Sequence, residues 1–330
     1  MAWAGWRVRP TGSRAVVAPP TAVVLAGGLG TRMGALAADR PKHLLEVAGE
    51  PFIVHQLRWL SAYGVVDVVL ATSHLADRFR RVLGDGSRWG VRLRYSTEPA
   101  PEGTAGALRR AARQLDPLPE RLVVVNGDLL TGHDLSQQLA FGVGRPDVEA
   151  VLHIRTVPDA RPFGCVVADP RGRVSAFIEK SRNPPSHEVN AGTYVLSRSV
   201  VESIPGGVVS LEDDVLPRLV AGGHVLAYRQ DALWEDVGTP AALVRASRAL
   251  VLRATRDAHI DPTACVDPSA LVSQGSAVGP GAVIGADARV LGSVVMSGAV
   301  VEAGAHVEDS AVPPGVRVRG RIRGVDGWPT

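Results

Sequence analysis

Lysine is almost missing from this 330-residue chain: of its 36 basic residues, only Lys42 and Lys180 are not arginine. An ammonium is a compact point charge and a guanidinium a broad planar fork, so a tight phosphate-facing site tells them apart. The two retained lysines therefore mark two candidate phosphate contacts. Cysteine is as scarce. Cys165 and Cys265 lie too far apart for a CxxC pair, which excludes a disulfide framework or zinc knuckle and points to a reducing cytoplasm. No apolar run approaches the roughly 18 residues that a membrane span requires, so an integral membrane protein is excluded. The net charge is only +3 and the arginines are scattered, which gives no stripe for nucleic acid. Residues 1–20 hold Arg7, Arg9 and Arg14 but no continuous apolar stretch. They read as a flexible tail or a misplaced start, not as a secretory signal.

What is present is a globular composition, 45% apolar and 21% charged, in a chain long enough for two structural units. From Thr21 to about Ser247, short β-branched runs alternate with helical stretches. AVVL (22–25), VVDVVLA (65–71) and LVVV (122–125) read as buried strands, and Val91, Leu93 and Tyr95 as a half-exposed one. Phe52–Tyr63, stopping at Gly64, and Thr104–Leu115 read as helices. This alternation implies βαβ units: an α/β, Rossmann-like domain with a mainly parallel sheet. In such sheets ligands bind beyond the carboxyl ends of the strands. Those ends lead into Gly27–Gly34, Ser73–His74, Glu98–Gly103 and Asn126–Asp128.

The last third changes character. Ile260, Val266, Val272, Val278, Ile284 and Val290 fall every six residues, and after a one-residue slip the beat resumes at Val295, Val301 and Val307. Period six is the signature of a parallel β-helix with one inward apolar residue per face, here a short left-handed one over 257–325. About sixty residues of repeat give roughly three coils at about eighteen residues each. Arg317, Arg319, Arg321 and Arg323 alternate, so they are expected along one side of a strand, as a solvated edge.

The segment LAGGLGTRMG follows the first strand. It is not GxGxxG, because Met33 stands where the third glycine belongs, and it lacks the GK[ST] of a P-loop. It is a glycine-rich turn followed by Thr31 and Arg32, then Pro41 and Lys42. Glycines let backbone N–H groups approach a phosphate, and the two cations would neutralise it.

This constellation resembles the signature of the sugar nucleotidyltransferases, or NDP-sugar pyrophosphorylases. The resemblance runs on through STEPAPEGTAGAL, VVVNGD, FGCVVAD, GRVSAFIEKS, NAGTYVLS, SLEDDVLP, WEDVGTPAAL and the hexapeptide tail. It is strongest toward mannose-1-phosphate guanylyltransferases and their heptose and cyclitol relatives. Two positions depart from the pattern: Ser181 replaces the proline of EKP, and His43 follows PK. The resemblance implies a catalytic domain over 21–250 that joins a sugar 1-phosphate to GTP and releases pyrophosphate. Asp128 and Asp236 would hold Mg²⁺, Arg32 and Lys42 would face the nucleotide phosphates, and Lys180 the sugar phosphate. Leu25, Gly27, Gly28, Gly30, Thr31, Glu98, Gly103 and Thr104 would form the nucleotide site. Gly127, Gly164, Glu179 and Asn190 would form the sugar site.

Glu98 bears on the base. A carboxylate only accepts hydrogen bonds, and guanine offers adjacent N1–H and 2-amino donors, whereas thymidylyltransferase relatives carry glutamine at this position. Glucose-1-phosphate thymidylyl-, uridylyl- or adenylyltransfer stays open as an alternative. So does a non-catalytic NDP-sugar-binding subunit, although Asp128, Asp236, Arg32, Lys42 and Lys180 are all retained. His55, His74, His153 and His306 show no metal spacing; His306 as an acyltransferase histidine is the remaining alternative. The β-helix reads as an assembly or regulatory domain, giving a cytoplasmic homo-oligomer.

Overall fold

The computed structural model of the chain describes residues 19–28, 30–73, 75–254 and 257–324. The expected N-terminal tail and His74 therefore lie almost wholly outside the described residues. The chain divides into two compact units. One comprises 19–28, 57–73 and 75–234; the other comprises 30–56, 235–254 and 257–324.

The first unit is built on a nine-stranded sheet. Its parallel half contains β1 (Thr21–Ala26), β2 (Asp67–Thr72), β3 (Arg92–Thr97) and β4 (Arg121–Asn126), in the order β4-β1-β2-β3. The remaining strands are β5 (Ala150–Thr156), β6 (Gly164–Ala168), β7 (Val174–Glu179), β8 (Glu188–Ser197) and β9 (Val225–Arg229). Here β8 runs antiparallel to β4, β5 and β6, β7 antiparallel to β6, and β9 parallel to β5. Val23, Val69, Leu122 and Val124 are wholly buried, because helices such as Gly103–Ala112 cover the sheet with Ala105, Leu108 and Ala111. A strand buried on both faces needs unbroken apolar runs, which is what AVVL and LVVV supply. At the edge, Arg92 and Arg94 are exposed while Leu93 is buried, matching the alternation in the sequence.

In the second unit, helix Pro240–Ala254 packs against short strands stacked as three four-stranded parallel sheets, consistent with a left-handed β-helix. The hexapeptide valines point inward: Val278, Ile284, Val290, Val295, Val301, Val307, Val312 and Val318 form its buried core. Ile260 occupies the same column as Val278 but is 43% exposed, because it belongs to the terminal coil. Two expectations are corrected here. Each sheet has four rungs, so there are four coils and not three. The alternating arginines also do not share a strand: Gly320 turns the chain at φ 68°, separating strand Arg317–Val318 from Arg321–Arg323. Arg317 and Arg319 then pair with Glu302, while Arg321 and Arg323 pair with Glu308.

Candidate active site

In the sheet unit, Gly27, Glu98, Gly127 and Asp128 follow the carboxyl ends of the parallel strands β1, β3 and β4. Leu25 is in β1, and its carbonyl accepts from Gly127 N–H at 2.8 Å, closing the end of β1 onto the turn after β4. A Cβ on Gly127 would lie 2.6 Å from that same oxygen, so only glycine fits. Asp128 follows in this turn and is half-buried. Gly27, just past β1, accepts from Ser73 Oγ at 2.7 Å. A Cβ there would lie 3.0 Å from Glu98 Oε1, so the bare backbone makes room for the carboxylate.

Glu98 is only 9% exposed and is no surface residue. Its N–H donates to Thr72 O at 2.9 Å, and its Oε2 accepts from Glu102 N–H at 2.8 Å. Burial raises its pKa, against the opposing pull of the Glu102 N–H and the Arg110 charge. The carboxylate thus has two jobs within reach. One oxygen closes the 98–102 loop, and the other is turned toward Gly27.

The β6–β7 hairpin sets Gly164 opposite Glu179. A Cβ on Gly164 would meet Glu179 Oε2 at 2.8 Å. Glu179 Oε1 pairs with Lys180 Nζ at 3.0 Å, while the Lys180 side chain stays 70% exposed. Lys180 also sits at φ 46°, a left-handed conformation that costs a non-glycine residue energy and tends to persist at functional positions. Asn190 donates to Tyr194 OH at 2.8 Å and accepts from Gly192 N–H at 3.1 Å.

That bond opens a network that pattern reading missed. Tyr194, fully buried, donates to Glu212 Oε1 at 3.1 Å; Thr104 Oγ1 donates to Glu212 Oε2 at 2.6 Å and accepts from Leu211 N–H at 2.7 Å. Burial and the Glu212 charge push the Tyr194 phenol well above its ordinary range. Glu212 thereby ties β8 to the first turn of helix Gly103–Ala112. Thr104, nominated as a nucleotide contact, has its hydroxyl committed to this scaffold. Gly103 takes φ 74° there, with Val209 O where a Cβ would stand.

The second unit carries Gly30, Thr31, Arg32, Lys42 and Asp236. Gly30 adopts φ 68°, a Cβ on it would lie 3.4 Å from Lys42 Cβ, and Lys42 is only 8% exposed. Thr31 and Arg32 are exposed. Arg32 Nη2 lies 2.6 Å, and Asp236 Oδ1 3.2 Å, from the point where a Cβ on Gly238 would be. The glycine of WEDVG therefore lets a cation and a carboxylate share one spot. Among the described residues, no three or more His, Cys, Asp or Glu side chains are grouped to hold a metal ion. A cavity of about 380 Å³ lined by Arg121, Leu139, Val143, Arg145, Val151 and Val195 includes none of the nominated residues.

Residues 21–252 match the Nucleotidyl transferase family, and the chain belongs to it. Among curated proteins it is 43% identical over 234 residues to the mannose-1-phosphate guanylyltransferase of Mycobacterium tuberculosis, covering 70% of this chain and 64% of that one. It is 33% identical over 222 residues to mannose-1-phosphate guanylyltransferase 1 of Arabidopsis thaliana, covering 66% and 61%. The chain thus spans under two thirds of either relative's length. Among solved structures it is similar to HddC from Yersinia pseudotuberculosis complexed with GMP-PN, with TM-score 0.61 and 27% identity, covering 70% of this chain and 99% of that one.

Proposed function

We propose that this chain joins a sugar 1-phosphate to GTP, releasing pyrophosphate and a GDP-sugar, with mannose 1-phosphate as the favoured acceptor. The observation that carries the reading is Glu98, a buried carboxylate turned toward the glycine backbone at the mouth of the sheet. An acceptor-only group in that position suits the paired donors of guanine. The guanylyltransferase names of the relatives and the GMP-PN held by HddC support the same base.

The reaction is an in-line attack by a sugar-phosphate oxygen on the α-phosphorus. That oxygen is already ionised at neutral pH, so the chain needs no general base; it needs positioning and charge neutralisation. Arg32 and Lys42 neutralise the nucleotide phosphates. Lys180, oriented by Glu179, faces the sugar phosphate, and Glu179, Asn190, Gly164 and Gly127 line the sugar. Leu25, Gly27, Gly28, Gly30, Thr31, Gly103 and Thr104 frame the nucleotide, Thr104 through its backbone.

Asp128 and Asp236 each offer hard carboxylate oxygens, which with substrate phosphates and water are donors that suit Mg²⁺. When bound, the ion would supply charge neutralisation at the phosphates. The proposal also includes a cytoplasmic setting, domains at 21–250 and 257–325, and self-association through the β-helix, whose terminal coil exposes Ile260.

The test is incubation of the full chain with GTP, Mg²⁺ and a panel of mannose, glucose, heptose and valienol 1-phosphates. GDP-sugar and pyrophosphate should form in equal amounts with at least one acceptor. Absence of both products across the panel would overturn the proposal.

A further inference from the structure

Lys42 opens the short helical turn Lys42–Leu44, and after Leu45 comes a hairpin whose strands are Glu46–Val47 and Glu50–Pro51, with Val47 opposite Glu50. Its two turn residues, Ala48 at φ 51° and Gly49 at φ 82°, have the paired left-handed conformations of a type I′ turn. Alanine is a poor residue for that conformation, so something must hold it. Three groups from the C-terminal third do so. Ser247 Oγ, on helix Pro240–Ala254, accepts from Ala48 N–H at 2.9 Å. The His259 ring fills the space where a Cβ on Gly49 would stand, with Cδ2 at 2.6 Å. Ser297, at a corner of the β-helix, donates its N–H to Glu46 Oε2 at 3.0 Å and Oε1 at 3.2 Å, and its hydroxyl also donates to Oε1. Gly279 keeps the site open, because any Cβ there would collide with the Glu46 carboxylate.

The grip reaches Lys42 through a short path. Leu45 N–H donates to Lys42 O at 3.1 Å, and Leu45 O accepts from Phe52 N–H at 2.8 Å, so Lys42 closes a tight turn at the base of the clamped hairpin. We propose that Glu46 is a positioning residue: by docking on Ser297, it makes the β-helix the platform that sets Lys42 for the nucleotide phosphates. The role rests on the proposed function and extends the β-helix beyond assembly. Burial of Glu46 opposes its charge and raises its pKa, and the Ser297 donors offset part of that opposition.

The test uses full-length variants Glu46→Ala, Glu46→Gln and Ser297→Ala. Ser297→Ala removes only the hydroxyl, so it serves if Glu46→Ala fails to fold. Glu46→Ala and Ser297→Ala should raise the KM for GTP, about tenfold or more for Glu46→Ala. The KM for the sugar 1-phosphate should move less than about twofold, and Glu46→Gln, which keeps an acceptor, should recover part of the loss. Amide hydrogen exchange should quicken over 42–51 in Glu46→Ala and stay unchanged over 188–197. That readout needs no turnover, so an inactive wild type would sink the proposed function while leaving the anchor testable. Quickened exchange with an unchanged KM for GTP, equal rises in both KM values, or no change in either readout overturns the inference.

Discussion

The Thr104 hydroxyl donates to Glu212 Oε2 at 2.6 Å while accepting from Leu211 N–H at 2.7 Å. One hydroxyl thus satisfies a charged side chain and a helix-entry amide together. Thr104→Val keeps the shape, strands the Leu211 N–H and deprives Glu212 Oε2 of its shortest donor, a loss of about 1–3 kcal/mol. Urea denaturation should show that loss, with Glu212→Gln coupled to it in a double-mutant cycle. A change below about 0.5 kcal/mol would mean that the network does not hold helix Gly103–Ala112 to β8.

A second buried group governs acid stability. His133 and His153 stack at 3.8 Å between ring centroids. His133 Nε2 donates to Gln138 Oε1 at 2.8 Å, so its Nδ1 accepts from Thr131; His153 Nε2 donates to Gln230 O at 2.9 Å. Burial holds both rings neutral, lowering His153 from 6.5 to about 4 and His133 well below its usual value. The unfolded chain takes up these protons first as the pH falls. Stability is therefore full above about pH 6.5 and lost progressively down to about pH 4, by roughly 3 kcal/mol for His153. Urea midpoints from pH 7.5 to 4.5 should fall more steeply in wild type than in His153→Gln. Parallel slopes would contradict this.

The two lysines should respond differently to arginine. Lys42 is buried against Gly30, so Lys42→Arg has no room for the wider fork and should lose at least about a hundredfold in kcat/KM. Lys180 is exposed and paired with Glu179, so Lys180→Arg should fold normally and raise mainly the KM for the sugar 1-phosphate. Wild-type kinetics in both would make the retained lysines accidental.

Asp128→Asn and Asp236→Asn should each lower turnover at least about a hundredfold with little change in melting temperature, because a metal-holding carboxylate contributes several kcal/mol to the transition state. Near-normal turnover at saturating Mg²⁺ removes that residue from the proposed metal-holding pair.

Much of this was legible because periodicity is local. The period-six valines announce the β-helix, and the apolar runs announce β1 and β4. What was hidden depends on long separations or on small turns. Glu46 and Ser297 meet across 251 positions, and Thr104 and Glu212 across 108. Neither pairing leaves a periodic trace. The arginine alternation misled because Gly320 turns the chain between its halves. The glycines at 27, 127 and 164 were legible as motif members, but their reason, carboxylates or carbonyls in the Cβ space, appears only in three dimensions.

The most direct measurement is kcat/KM for GTP, ATP, UTP and dTTP with mannose 1-phosphate, on wild type and Glu98→Gln. Because Glu98 Oε2 accepts from Glu102 N–H, the glutamine oxygen should keep that place and turn its NH₂ toward the base. The fold should survive, and a donor would then face the donors of guanine. GTP should be the best wild-type substrate and fall about ten- to a hundredfold in the variant, with UTP and dTTP unchanged or improved. A wild type that prefers another nucleotide, or a variant with unaltered preference, would contradict guanine recognition by Glu98.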